Sequence, residues 1–380
     1  MSGLAEAEVD LAAVAANLGT VAARAGTALM AVVKADGFGH GAVPVARAAL
    51  AAGASWLGVT STGEALALRA AGLTAPVLSW LHRPDDDFGA LIDADVDLGV
   101  STVPHLHSVA EAARRSGRPG TVQLKADTGL SRNGASRDDW PGLVDWARKY
   151  EVEGTVRVRG VWSHLAGAES RDGRSVGRQV AAFTEALRIA RQAGLRPDLA
   201  HLANSAAALA VPASRYDLCR IGLALYGVDP FGATGAGAYR LRAAMTLRST
   251  VVNVKRVPAG TGISYGPDRV TARATTLALL PLGYADGLSR AVEGRAEVWL
   301  AGTRRPIVGR IAMDQCVVDV GDLPVEIGDP VVIFGPEPAG PGWPTVAEWA
   351  AWARTSPHEV LTGIGARVAR RYRPARQAAR

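Results

Sequence analysis

Lysine is nearly absent from this chain, standing only at positions 34, 125, 149 and 255, so that 38 of the 42 basic residues are arginine. Arginine stays protonated and does not act as a nucleophilic amine, whereas a lysine drawn out of water can lose its proton and form a Schiff base. Lys34 closes the apolar run Met30-Ala31-Val32-Val33 and is followed by Ala35-Asp36-Gly37-Phe38-Gly39-His40-Gly41. A lysine kept there, in a sequence otherwise turned over to arginine, is a candidate for chemistry that arginine cannot do. The competing reading is a solvated lysine at a strand end, and the surrounding sequence decides between them.

Such chemistry needs a rigid frame. Short apolar segments rich in β-branched residues fall at 28–34, 56–61, 76–81, 96–100, 121–126, 158–164, 199–204 and 218–223. Stretches with apolar residues at helical spacing lie between them, at 43–52, 63–71, 105–115 and 176–193. This alternation predicts parallel β/α units, and eight of them over roughly 230 residues fit a (β/α)8 TIM-type barrel. An open doubly wound sheet is the alternative, but no Gly-x-Gly-x-x-Gly follows the first strand. In a barrel the working side chains stand where strands end. Lys34, His164, Asn204-Ser205 and Arg220-Ile221-Gly222 all fall at such ends.

After about residue 232 the pattern changes. Strand-like runs at 246–257, 275–281, 296–301, 306–311, 316–320 and 330–334 are separated by glycine, proline and acidic turns, with one helical stretch at 345–353. The expected architecture is therefore α/β: a barrel over 1–235, a Gly/Ala-rich linker at 231–238, and a C-terminal, mainly β domain over 236–380.

Composition bounds the setting. Hydrophobic residues make up 48% and charged residues 21%, enough apolar material for a sizeable core. No basic stretch leads into an apolar block at the N-terminus, and no apolar run is long enough for a bilayer. Cys219 and Cys316 cannot make a disulfide framework, so a reducing cytoplasm is expected. The net charge of +6 is matched by six arginines at 367, 370, 371, 373, 376 and 380, read as a solvated, partly frayed terminus rather than a nucleic-acid surface. His105 and His107 lack further ligand spacing and predict no metal site; Asp85-Asp86-Asp87 reads as a solvated helix start.

An ordered series of motifs runs from Val9 to Tyr372: the Lys34 segment, Lys125-Ala126-Asp127-Thr128-Gly129-Leu130-Ser131-Arg132-Asn133-Gly134, Trp162-Ser163-His164, His201-Leu202-Ala203-Asn204-Ser205, Arg220-Ile221-Gly222-Leu223-Ala224-Leu225-Tyr226-Gly227, Gly262-Ile263-Ser264-Tyr265-Gly266, Gly283-Tyr284-Ala285-Asp286-Gly287 and Gly309-Arg310-Ile311-Ala312-Met313-Asp314-Gln315. Together they strongly resemble the alanine racemase family. The resemblance implies pyridoxal 5′-phosphate as cofactor, a homodimer, and racemisation by two bases on opposite faces of the substrate α-carbon.

By that resemblance Lys34 holds the cofactor and serves the D-face, while Tyr265 serves the L-face from the partner subunit. His164 and Arg220 would form the neighbourhood that makes Tyr265 a better base, and Arg220 would meet the pyridine nitrogen. Ser205, Gly222 and Leu223 would hold the phosphate, and Arg132 the substrate carboxylate. Lys125 matches a lysine often carbamylated, a charge that would orient Arg132; Met313 would bind substrate through its backbone amide, and Tyr284 and Asp314 would line the access corridor.

Two residues depart from the family pattern. Phe38 and His358 stand where tyrosines normally donate to the cofactor phosphate. Phe38 cannot donate, and His358 is shorter, which opens space beside the substrate side chain. The expected activity is interconversion of L- and D-alanine for peptidoglycan. The alternatives are a racemase of the same mechanism for serine or another amino acid, and a cofactor-binding regulatory protein with weak turnover.

Overall fold

The computed structural model describes residues 4–170, 173–232, 239–266, 269–336 and 342–374. Strand β1 (Ala5–Asp10) runs directly into helix α1 (Leu11–Ala25). The Asp10 carboxylate accepts the Ala13 N–H at 3.0 Å, and Gly26, with φ of 63°, ends the helix. Between them they satisfy backbone groups that each helix end leaves orphaned.

Eight parallel strands follow: β2 (Ala28–Val32), β3 (Trp56–Val59), β4 (Val77–Ser79), β5 (Val96–Val100), β6 (Gly120–Lys125), β7 (Val156–Trp162), β8 (Leu199–His201) and β9 (Leu218–Ile221). They lie side by side in chain order, and β9 returns to pair with β2. Asp217 N–H donates to Ala200 O and Arg220 N–H to Ala203 O, both at 3.0 Å, which closes β8 onto β9. The helices α2 (Lys34–Phe38), α3 (Ala42–Ala51), α4 (Thr62–Ala70), α5 (Phe88–Asp93), α6 (Val103–Ser116), α7 (Trp140–Val152), α8 (Arg174–Gln192) and α9 (Ser205–Ala210) occupy the connections. All eight expected strands are present. Most stop one to three residues early, because the terminal residues have already turned into βα loops.

Alternation along the strands sorts side chains between the two faces. Leu29, Ala31, Leu57, Val77 and Cys219 face outward into the large core beneath the helices, whereas Met30, Trp56, Leu78 and Leu218 form a separate apolar cluster. Trp80 packs against both. A Cβ at Gly58 or Gly99 would come within 3.0 Å of Trp80, so both glycines are needed for its seat.

The second unit is a nine-stranded sheet with a core of its own. Its strands are β10 (Met245–Thr250), β11 (Asn253–Val257), β12 (Thr275–Leu280), β13 (Glu297–Leu300), β14 (Thr303–Val308), β15 (Cys316–Gly321), β16 (Pro330–Phe334) and β17 (Ala369–Arg373), joined by β1. Helices α10 (Val346–Ala353) and α11 (Pro357–Gly363) cover it, with the Trp349 indole N–H donating to Ile333 O at 2.7 Å. Residues 246–257, expected as one run, form two strands, β10 and β11. Strand β1 lies between β10 and β17, so residues within the expected barrel segment 1–235 belong to this sheet. The expected boundary at 235–236 falls outside the described residues.

The basic terminus differs from the frayed tail expected of it. Residues 369–373 pair in parallel with β1, where Arg371 meets Glu6 and Arg373 meets Glu8. Arg367 bridges Asp286 and Asp314. Two acids alternating on β1 attract the arginines of β17, a pairing that needs the fold to become visible; Arg376 and Arg380 lie outside the described residues. His107 packs edge-on against Trp146 at 4.7 Å, and Asp87 caps α5 by accepting from Ala90 N–H. No helix among the described residues is long and apolar enough to cross a membrane.

Candidate active site

Strand β2 ends at Val32, and Lys34 begins α2, a single turn of unusual hand. Ala35, Asp36, Gly37 and Phe38 have φ of 51°, 50°, 61° and 53°. Left-handed backbone disfavours L-residues by roughly 1–2 kcal/mol each, so the three non-glycine residues store about 3–6 kcal/mol. Several neighbours stabilise this turn. His40, fully buried, holds the Gly37 and Phe38 carbonyls at 3.1 and 2.9 Å from Nδ1. The Tyr226 hydroxyl donates to Val32 O, Asp36 Oδ1 accepts from Ala42 N–H, and Glu64 Oε1 accepts from Ala35 N–H. The C-terminal unit closes the far side: a Cβ on Gly39 would stand 2.4 Å from Leu361 O.

Inside the barrel a chain of polar groups runs from Arg220 to Arg159. Arg220 is 4% exposed and donates to His201 Nδ1 and O at 3.0 and 3.1 Å, to Ser163 O at 2.7 Å and to Leu202 O at 2.9 Å. His164 Nδ1 lies 3.5 Å from the same guanidinium. With Nδ1 accepting, His201 carries its proton on Nε2 and donates to Gln123 Oε1 at 2.6 Å. Gln123 donates to Asp97, which pairs with Arg159 at 2.7 Å. Sequence reading quoted His201 in a motif without giving it a role and missed Gln123 and Asp97. The signal was there: each is a polar residue inside an otherwise apolar strand, which a buried position requires to be partnered.

Burial and mutual repulsion set the protonation states here. Burial, then Arg132, lowers the pKa of Lys34 against the pull of Glu64. Burial, then Arg220 and Arg132, brings Lys125 down to about 8. His164 falls to about 2 through burial and the surrounding cations, and burial lowers Arg220 to about 10. At neutral pH Arg220 is charged and His164 neutral. The aromatic floor is Trp162, with Lys125 Nζ 4.5 Å and Arg220 Cζ 5.1 Å from its centroid.

Arg132 sits on a loop held at its base by Asp127 N–H to Ala135 O and Ala135 N–H to Lys125 O, both 2.8 Å. Asp127 Oδ1 accepts three backbone N–H groups, from Gly129, Leu130 and Ser131. Ser205 Oγ accepts from Gly222 N–H at 3.1 Å and Ala224 N–H at 3.3 Å, which leaves its O–H to donate. Gly222 itself borders Phe38, whose ring lies 4.7 Å from Tyr226 and 5.8 Å from His358. His358 is shifted downward by burial and by Lys34.

Lys34, Lys125, Arg132, His164, Ser205, Arg220, Gly222, Leu223 and His358 thus gather at the C-terminal mouth of the barrel. Tyr265, Tyr284, Met313 and Asp314 do not. They sit on loops and, for Tyr284, a short 3-10 turn of the second unit, where Tyr265 and Met313 are 68% and 53% exposed. Gly283 allows the 283–285 backbone to cross that of 312–313, since a Cβ there would meet Met313 O at 2.3 Å. Ser264, with φ of 61°, turns Tyr265 outward and donates its hydroxyl to Arg310 O. No hydrogen bond or ring contact among the described residues joins this group to Lys34.

The comparisons with known proteins bear on this divided arrangement. The profile of the alanine racemase N-terminal domain matches residues 9–230, and that of the C-terminal domain matches 244–372. The chain belongs to the alanine racemase family. It is 51% identical over 368 residues to the alanine racemase of Frankia casuarinae, covering 96% of this chain and 95% of that one. With the alanine racemase of Thermobifida fusca it shares 48% over 98% of this chain and 99% of the other. The crystal structure of alanine racemase from D-cycloserine-producing Streptomyces lavendulae superposes with a TM-score of 0.96 at 48% identity, covering 98% of each chain. The family places the chain among pyridoxal-phosphate-dependent isomerases that interconvert L- and D-alanine.

The mouth fits that cofactor. Lys34, Lys125, Arg132 and Arg220 concentrate positive charge there, with Glu64 and Asp127 the acids that act on the two lysines, an environment that suits a phosphate dianion and a carboxylate substrate. The lowered Lys34 pKa favours the uncharged amine that a carbonyl cofactor needs.

Proposed function

We propose that the cofactor is joined to Lys34 and that alanine is racemised by Lys34 on one face and the partner subunit's copy of Tyr265 on the other. The carrying observation is a half-buried amine, its pKa lowered by desolvation, set among cations just past the end of the first barrel strand. Pyridoxal phosphate, when bound, withdraws electrons from the substrate α-carbon and so acidifies its proton. Lys34 takes or returns that proton on the D-face. Arg132 binds the substrate carboxylate, and Lys125, whose amine is brought to about 8, is the group whose carbamylation would orient it. Ser205 donates its hydroxyl to the phosphate, with the backbone at Gly222 and Leu223 beside it. Arg220 keeps its own proton, so it donates to the pyridine nitrogen rather than protonating it; this discourages extensive delocalisation and favours direct transfer between two bases.

The second base is the reason for a homodimer. Tyr265 and Met313 are exposed and apart from Lys34, which supports a site completed by a second copy, with Tyr284 and Asp314 lining the approach. Work in the cytoplasm, supplying D-alanine to peptidoglycan, is the role we assign. The regulatory alternative is disfavoured by the C-terminal domain match, and the serine alternative by half-identity to alanine racemases over nearly the whole chain. Borohydride reduction should fix the pyridoxyl mass on the peptide containing Lys34; labelling at Lys125, Lys149 or Lys255 instead would overturn the assignment.

A further inference from the structure

We propose that Glu64 and Arg370 are positioning residues that clamp the two ends of the left-handed turn at 35–39 and so fix the direction in which Lys34 presents its amine. This rests on the reading of Lys34 as the cofactor lysine. A left-handed run containing three non-glycine residues does not support itself, and relaxes unless its surroundings over-determine it.

The first clamp acts on the residue next to Lys34. Glu64 closes a capping box at the start of α4, its Oε2 accepting from Thr60 N–H at 2.7 Å and Ser61 N–H at 3.2 Å. That oxygen alone serves the helix. The other, Oε1, reaches across to Ala35 N–H at 2.7 Å, a bond that capping does not call for. The carboxylate therefore ties the first left-handed residue to a rigid helix start.

The second clamp acts on the last residue of the turn. Arg370, on β17, donates Nε–H to Gly39 O at 3.0 Å. Three of its other four donors go to Val368 O, Gly365 O and Ile364 O within the C-terminal unit. A planar fork held by three carbonyls of one unit leaves one direction for the donor that crosses to the barrel. Gly39 is pressed against Leu361 O on the same side, so the turn has no room to slide away.

The test separates the clamp from general stability. Glu64→Asp keeps an acid in the first turn of α4 but is too short to reach Ala35; Arg370→Gln removes the fork. In the holoenzyme, the turn's own bonds (Gly37 N–H to Val33 O, Gly39 N–H to Ala35 O, Gly41 N–H to Asp36 O) give slow amide exchange to follow. Each variant should speed exchange across 37–41 at least tenfold, leave α6 and β15 unchanged, and slow the fixing of pyridoxyl mass on Lys34 by borohydride at least tenfold during reloading with pyridoxal phosphate. Leu18→Ala, a buried truncation in α1, supplies a control with lowered melting temperature that should do neither. If Arg370→Gln does not fold, Arg370→Lys carries the same test, since a single ammonium cannot span the four carbonyls. Unchanged exchange at 37–41, or faster exchange spread equally over α6 and β15, overturns the clamp. Pyridoxyl mass on another lysine overturns the proposal through its premise, and the exchange data then show that the Lys34 assignment is what failed.

Discussion

His40 should make the protein lose stability in mild acid by an amount that a single substitution removes. Its ring is fully buried against Tyr226, and burial, with Arg370 adding to it, lowers its pKa from 6.5 to about 4 despite the Gly37 and Phe38 carbonyls. Above pH 6.5 folded and unfolded forms are both neutral, and stability is at its full value. As pH falls from 6.5 toward 4 the unfolded chain binds a proton that the folded chain refuses, so stability declines. For one such group the loss between pH 7.5 and pH 5.5 is about 1.3 kcal/mol. His40→Asn retains an N–H able to serve the two carbonyls and cannot titrate. Urea unfolding of holoenzyme, parent and variant, at pH 7.5, 6.5 and 5.5 should show the variant losing about 1.3 kcal/mol less across the range. The variant starts lower because the ring is gone, but only the slope matters. His164, His201 and cofactor linkage contribute equally to both proteins. Parallel loss of stability in the two would refute a neutral, buried His40.

Gly39→Ala should destabilise by about 2–5 kcal/mol, summing a left-handed penalty with a clash against Leu361 O, read as a fall in the urea midpoint; a neutral result would deny the tight seat. Tyr265→Ala should abolish racemisation and solvent exchange of the L-alanine α-proton while keeping part of the D-alanine exchange through Lys34, and equal residual exchange from both enantiomers would refute the division of labour. His358→Tyr should lower the serine-to-alanine ratio of kcat/KM about tenfold, if the steric term is roughly 1.4 kcal/mol. His358 lies 5.8 Å from Phe38 at the edge of the site. An unchanged ratio would separate position 358 from substrate choice.

The frame of the site was legible because a barrel is written in local pattern: eight apolar segments, alternating with stretches of helical spacing such as 43–52, 63–71, 105–115 and 176–193, need no long-range information. Lys34, His164, Ser205, Arg220 and Gly222 followed from strand ends, whereas Lys125, Arg132 and His358 came from the family resemblance. What was not legible depended on contacts between distant segments. Nothing local tells that the strand ends at Val32 and that Ala35 to Phe38 coil left-handed, since Ala35 and Phe38 disfavour that region and Asp36 tolerates it only as a single residue. The turn exists because Glu64, His40, Leu361 and Arg370 meet around it. Likewise Arg371 and Arg373 read as a loose tail until Glu6 and Glu8 stand opposite them. The polar series Asp97, Gln123, His201 was hidden because each residue alone resembles an interruption in a strand, and only the closed barrel aligns them.

The order in which the chain is synthesised gives β1 and β17 a further meaning. Strand β1, made before the barrel, pairs with β17, made after it, so the whole barrel is inserted between two neighbours in one sheet. Contacts of such sequence separation form late, and domains fold as units during synthesis. The barrel can therefore assemble while β1 still waits for its partner, with the Lys34 turn lacking Arg370 and Leu361. A nascent chain would carry its lysine on a turn braced by Glu64, His40 and Tyr226 of the barrel but not yet by Arg370 until β17 leaves the ribosome. A truncated product that stops before β17 would leave the turn without Arg370 and β1 without one of its two neighbours.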